Sequence, residues 1–382
     1  VKKKKFIHKV LRSRVFVVLG CCLVFGAVLS LFAKGFEINR KALTRAWMVI
    51  EEGLRYKDSV VREEAVKVLE LTDGPQSRKE LLSALSDESE YVRIWAAKIL
   101  AKKGDYSGKR VLLQILSGTS GSKKGDLTGP LATLEKMKNL AKGRIRGEAA
   151  KALASFDDPE LVSVLKDSKK DDDGRVRDGA AVALALMGDT SETIVFSSAI
   201  NDSDQGIRLA AVEALGEVGD PKSVTVLIKA LNDTDEAVRA AAATGLGNIK
   251  VEDSSDALAE FLTDSSGLVR EKAAWALGET GAKEKAANLK ASLQDPNVIV
   301  ELAAAGALGK IGDASGLPTV ETALNSNDMD ARSQAALTLG DILSKPSQSL
   351  AIKTLEDGNI KTRLGAAVSL FRMARQNQKE SK

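Results

Sequence analysis

Shifted against itself by 31 residues, the sequence places Arg62, Arg93, Arg146, Arg177, Arg208, Arg239, Arg270, Glu301, Arg332 and Arg363 in one column. The step from Arg93 to Arg146 breaks the period, being longer than the others by 22 residues. Three positions after each member comes Ala (65, 96, 149, 180, 211, 242, 273, 304, 335, 366), and seven after comes Leu (69, 100, 153, 184, 215, 246, 277, 308, 339, 370). Spacings of three, four and seven lie on one face of a helix, and Ala at the closest approach lets neighbouring helices pack tightly. Such a chain grows by stacking units rather than by enlarging one core, so its 382 residues count as about ten repeats. The expected fold class is all-α, a solenoid of helix hairpins.

Seven copies carry Asp six residues before the Arg column: Asp87, Asp171, Asp202, Asp233, Asp264, Asp295 and Asp357. An acid there is expected to accept free N–H groups at the helix start and to meet the positive end of the dipole. Gly after the Leu column, as in Leu215-Gly216 and Leu246-Gly247, is expected to stop the helix, with Gly-Asp turns such as Gly219-Asp220 and Gly312-Asp313 following. A second amphipathic run, for example Ser223 to Leu231, completes each hairpin. The stretch from Asp233 through Arg239, Ala242 and Leu246 resembles the HEAT repeat, in the short form also seen in phycobilin lyases, and the resemblance covers roughly residues 40 to 375.

That resemblance implies a right-handed α-solenoid whose recurring Asp and Arg form a structural ladder between repeats. Glu301 departs from the column, so an unpaired carboxylate or a local change of curvature is expected there. Arg40 to Tyr56 reads as a capping helix with Leu43, Trp47, Ile50 and Leu54 at helical spacing, and the last helix is expected to end near Ala374, leaving a polar tail at 376–382. An insertion near 117–139 holds a Gly/Ser-rich stretch and an extra helix over 131–141. Between Lys123 and Glu148 lie seven cations against three acids. Lys123, Lys124, Lys136, Lys138, Lys142 and Arg144 make this the candidate patch for an anionic partner; a solvated loop is the alternative.

Solenoids bind along the surface that one helix of every hairpin exposes. Positions one and five after the Arg column are expected to form an exposed ridge, charged in the N-terminal half and apolar in the C-terminal half. Leu209, Trp275, Leu302, Leu337, Leu364 and Val368 are the candidate protein-binding residues. Packing of Trp275 into the neighbouring repeat is the competing reading.

Residues Val15 to Ala33 are nineteen positions without a charge, preceded by a basic stub at 1–14. This length approaches a bilayer span, and the flanking cations would stay cytoplasmic, so a single-pass membrane anchor with an extracytoplasmic body at 34–375 is expected. Cleavage after Val28-Leu29-Ser30, giving a secreted protein, is the alternative, and Val18-Leu19-Gly20-Cys21 resembles a lipoprotein box over four residues. The initial Val suggests an alternative start codon and a bacterial source.

Residues 1–36 hold eight cations and no acid, leaving 48 basic against 52 acidic residues in the remainder, a balance that argues against a nucleic-acid partner. The single histidine is His8, and both cysteines, Cys21 and Cys22, lie in the apolar stretch. The body therefore lacks the residues for a Ser-His-Asp, Cys-His or His-metal site, including the His-Glu pairs of HEAT-like iron hydroxylases. Asp171-Asp172-Asp173-Gly174 lacks the alternating ligands of a calcium loop and reads as a charged turn and helix cap. The expected function is a non-catalytic scaffold for a protein or peptide, without cofactor or metal. A phycobilin-lyase-like accessory enzyme and a plain spacer are the alternatives.

Overall fold

The computed structural model describes residues 38–118 and 130–380. Among the described residues ten hairpins follow one another, each an outer helix and then an inner one. The inner helices are α2 (Ser59–Val68), α4 (Glu90–Lys102), α6 (Pro130–Leu153), α8 (Gly174–Leu186), α10 (Gln205–Val218), α12 (Glu236–Ile249), α14 (Gly267–Thr280), α16 (Val298–Lys310), α18 (Met329–Thr338) and α20 (Ile360–Glu380). The outer ones used below are α1 (Arg40–Leu54), α9 (Thr190–Ala199), between α8 and α10, and α11 (Val224–Ala230), between α10 and α12. Inner helices pack broadly on their inner neighbours whereas outer helices scarcely touch, so the inner layer lies on the concave side. Every Ala and Leu of the two columns is buried, none more than 3 % exposed.

The ladder forms between repeats. Arg239 donates from Nε to Asp264 Oδ2 at 2.8 Å and from Nη2 to Oδ1 at 2.9 Å, and its Nη1 reaches the carbonyl of Asp233 in its own repeat at 3.0 Å. Arg62–Asp87, Arg208–Asp233 and Arg270–Asp295 repeat the arrangement. The column Asp is not itself the helix cap. It accepts the N–H two residues on, as Asp233 does from Asp235 at 2.9 Å, and Asp235 in turn caps α12. Asp173 likewise caps α8 through the Arg175 N–H, in line with the cap reading of that acidic turn.

Glycine after the Leu column does not stop the helices. Gly216, Gly247, Gly278 and Gly309 lie inside them, and α10 ends at Gly219, whose φ is 71°. Their role is close approach: a Cβ on Gly216 would stand 2.6 Å from Gly245 Cα of the next inner helix. The expected extra helix at 131–141 is continuous with the repeat helix, together forming α6. Its internal glycines are tolerated because α8 presses on them, the Arg175 carbonyl oxygen lying 2.4 Å from where a Gly147 Cβ would be. The last helix runs through the expected tail to Glu380.

The two ends meet. Helix α1 lies between α2 and α20, with Gly53 against both Ala65 and Leu364. One apolar core contains Ile50, Val61 and Leu69 from the start of the chain with Leu302, Leu364 and Met373 from its end. Arg363, whose ladder partner would lie beyond the last repeat, pairs with Glu52 of α1, and Arg45 pairs with Glu356 at 2.6 Å. The solenoid is thus closed after a single circuit, and α1 caps both ends at once.

Among the described residues no helix is long and apolar enough to cross a membrane. This corrects the expectation of a single-pass membrane protein. The segment 15–33 that carried that expectation lies outside the described residues.

Candidate functional site

The ladder is interrupted both where the chain departs from its own pattern and where it keeps it. Glu301 faces a repeat in which Ser326 replaces the column Asp, so both partners are missing together. Glu301 makes no ion pair among the described residues, and burial, with Asp295 nearby, pushes its carboxyl pKa up. At Arg177 both partners exist but stay apart. Arg177 donates to the carbonyls of Asp171 at 2.8 Å and Asp172 at 3.0 Å, while Asp202 accepts the Asp204 N–H at 2.8 Å.

The cause is local packing. Helix α8 is drawn onto α6 through paired glycines, the Gly147 oxygen standing 2.4 Å from where a Gly179 Cβ would be. Its contact with α10 is correspondingly thin. The parted seam opens a groove of about 1080 Å³ from the inner face into the wall. Val182 of α8, Phe196 of α9 and Ile207 and Ala210 of α10 line its apolar part. Phe196 is buried, whereas Val195 and Ile207 are 59 % and 47 % exposed at its edge.

Charged side chains ring the inner mouth. Lys151 of α6 reaches past α8 to Glu217 of α10 at 2.8 Å and also holds Glu148 at 3.2 Å. Arg175 is held by Asp173 at 3.3 Å and donates to the Leu140 carbonyl at 3.1 Å. Asp178 and Glu213 make no hydrogen bond or ion pair among the described residues. Solvent reaches both, yet they sit in the crowded concavity, and the resulting desolvation pushes both carboxyl pKa values up.

The sequence-predicted ridge does not emerge as an exposed stripe. Leu302 is fully buried and Leu364 is 3 % exposed, because the tight inner curvature and the docking of α1 cover those positions. Leu209, Trp275, Leu337 and Val368 are half-buried. Trp275 packs its ring edge into the space left by Gly247 and carries Lys310 Nζ 5.8 Å from its centroid, on one wall of a recess of about 330 Å³. Of the basic patch, Lys123 and Lys124 lie outside the described residues, and Lys136 falls in α6 with its side chain undescribed. Lys138, Lys142 and Arg144 are exposed on α6, and Arg144 reaches the groove rim. The groove itself was not foreseen, since Arg177 and Asp202 both occupy their proper columns.

A family model for HEAT repeats matches residues 49–123, 131–196, 170–236, 195–278, 224–303 and 286–372. The chain belongs to the HEAT repeat family. Among solved structures it is similar to a chain of the phycocyanin lyase complex of a Nostoc species, at 21% identity and a TM-score of 0.45, covering 56% of this chain and 94% of that one. Human deoxyhypusine hydroxylase is 19% identical with a TM-score of 0.36, covering 71% of this chain and 96% of that one. The karyopherin Kap95p is 14% identical with a TM-score of 0.36, covering 91% of this chain and 50% of that one. No curated protein matches the chain.

Proposed function

We propose that this protein is a non-catalytic repeat scaffold that holds a polypeptide partner against its inner face, engaging it at the parted seam between α8 and α10. The observation that supports this reading is the groove of about 1080 Å³, a cleft with an apolar part bordered by charge where two inner helices part. Half-buried Trp275 and Leu337 extend the contact surface along the inner face. Lys138, Lys142 and Arg144 would meet acidic groups of the partner. The body also lacks histidine and cysteine, leaving no nucleophile–base pair of the usual kind.

Site-specific photo-crosslinking tests the reading. A cross-linker at the inner positions Thr244 or Gln334 is expected to capture a polypeptide that one at the outer position Lys229 does not. Adducts confined to the outer position, or none at either, would overturn the proposal.

A further inference from the structure

We infer that the seam groove selects a cationic, apolar segment of its partner: an extended stretch in which a Lys or Arg follows a large aliphatic or aromatic side chain. This rests on the scaffold reading above and specifies the partner's chemistry. The apolar side chain enters between α8 and α10 against Val182, Phe196, Ile207 and Ala210, where the wall has a gap instead of the close helix contact seen at Gly216–Gly245. The cation meets Asp178 and Glu213.

Charge accounting at the mouth decides the sign. The cations Arg144, Lys151 and Arg175 stand against the acids Glu148, Asp178, Asp204, Glu213 and Glu217 among the lining residues, an excess of two negative charges. Lys151 and Arg175 make their direct contacts with Glu148, Glu217, Asp173 and a carbonyl, whereas Asp178 and Glu213 have no ion-pair contact among the described residues and feel Lys151, and for Asp178 also Arg177 and Arg175, only at longer range. A cation placed beside either carboxylate would offset the desolvation each carries in the concave wall; an acid placed there would add to it. Desolvated charge contacts beside an apolar anchor give selectivity as well as affinity.

The test is fluorescence anisotropy with the full chain and two labelled peptides, Ser-Ala-Leu-Lys-Ala-Ser and its Ser-Ala-Leu-Glu-Ala-Ser counterpart. The lysine peptide is expected to bind about tenfold more tightly. The isosteric double variant Asp178→Asn, Glu213→Gln is expected to abolish that preference without unfolding the chain, since neither side chain makes a hydrogen bond or ion pair among the described residues. Ala210→Trp, a substitution at an exposed position that fills the gap, is expected to remove binding of both peptides. Equal affinity for the two peptides, or an unchanged preference in the double variant, would overturn the charge selection. The scaffold reading would still stand on inner-face adducts. Undiminished binding to Ala210→Trp would place the peptide elsewhere and overturn the groove itself.

Discussion

A ladder arginine belongs to two repeats at once. In Arg239 the edge bearing Nε and Nη2 is given to Asp264 of the next repeat and Nη1 to backbone carbonyls of its own, so one side chain sets the distance between two turns. The carboxylates answer in kind: Asp233 and Asp295 lie below the usual carboxylate range, chiefly through the hydrogen bonds from Arg208 and Arg270. A group whose pKa is lowered by folding binds fewer protons folded than unfolded. Its contribution is complete above the ordinary aspartate value of about 4 and fades as pH falls through the lower folded value. The ladder's share of the thermal midpoint, read by circular dichroism as the difference between the parent and Arg239→Ala, is therefore expected to be level from about pH 7 to 5 and to shrink below about pH 4. Arg239→Ala should cost about 2 kcal/mol at neutral pH and show a shallower acid loss than the parent. Parallel acid profiles for the two proteins would contradict the ladder's role.

At the scale of helices, close approach rather than capping explains the glycine column. A Cβ on Gly216 would stand 2.6 Å from Gly245 Cα, backbone that has no side chain to move aside, so Gly216→Ala is expected to destabilise by about 1–3 kcal/mol in urea unfolding. A gain from improved helix propensity would instead mean that the two inner helices leave room for a methyl group at Gly216. The contrast shows what a lone sequence conveys. Burial of the Ala and Leu columns was legible because periodicity reports which face turns inward. The role of Gly216 was not, because Gly serves a helix end and a tight crossing equally well. The seam was hidden for another reason: Arg177 and Asp202 satisfy the pattern, and what parts them is the pull of Gly147 and Gly179 on the opposite side of α8. Exposure of the Leu302 and Leu364 ridge failed likewise, since local spacing carries no information about how far the whole wall bends.

For the molecule as a whole, closure changes what kind of solid this is. An open solenoid has two terminal repeats that each need a cap, and its stability is approximately a sum over neighbours. Here α1 supplies both caps, and the charged rows cross the join: Glu279–Lys310 is followed by Arg372–Asp341 at 3.4 Å, then Arg375–Asp73 at 4.0 Å and Lys103–Asp73 at 2.8 Å. Gly53→Leu would force a side chain between Ala65 and Leu364, whose atoms stand 2.9 and 3.1 Å from even a Cβ. It is expected to cost about 1–3 kcal/mol and to open the ring, seen as a larger radius of gyration in small-angle scattering. An unchanged scattering profile with unchanged stability would mean that the join bears no load.

A closed circuit also counts. Each hairpin must turn the chain by about one-tenth of a revolution, so the bend per repeat and the number of repeats are no longer independent. Open repeat arrays lengthen or shorten by duplicating or losing a unit at little cost. An extra hairpin inserted between α1 and α20 would have no place in the described circuit, and the loss of one would leave α1 short of α20. The arithmetic of the circle, as much as the strength of any single contact, ties the bend of each hairpin to the ten that are described.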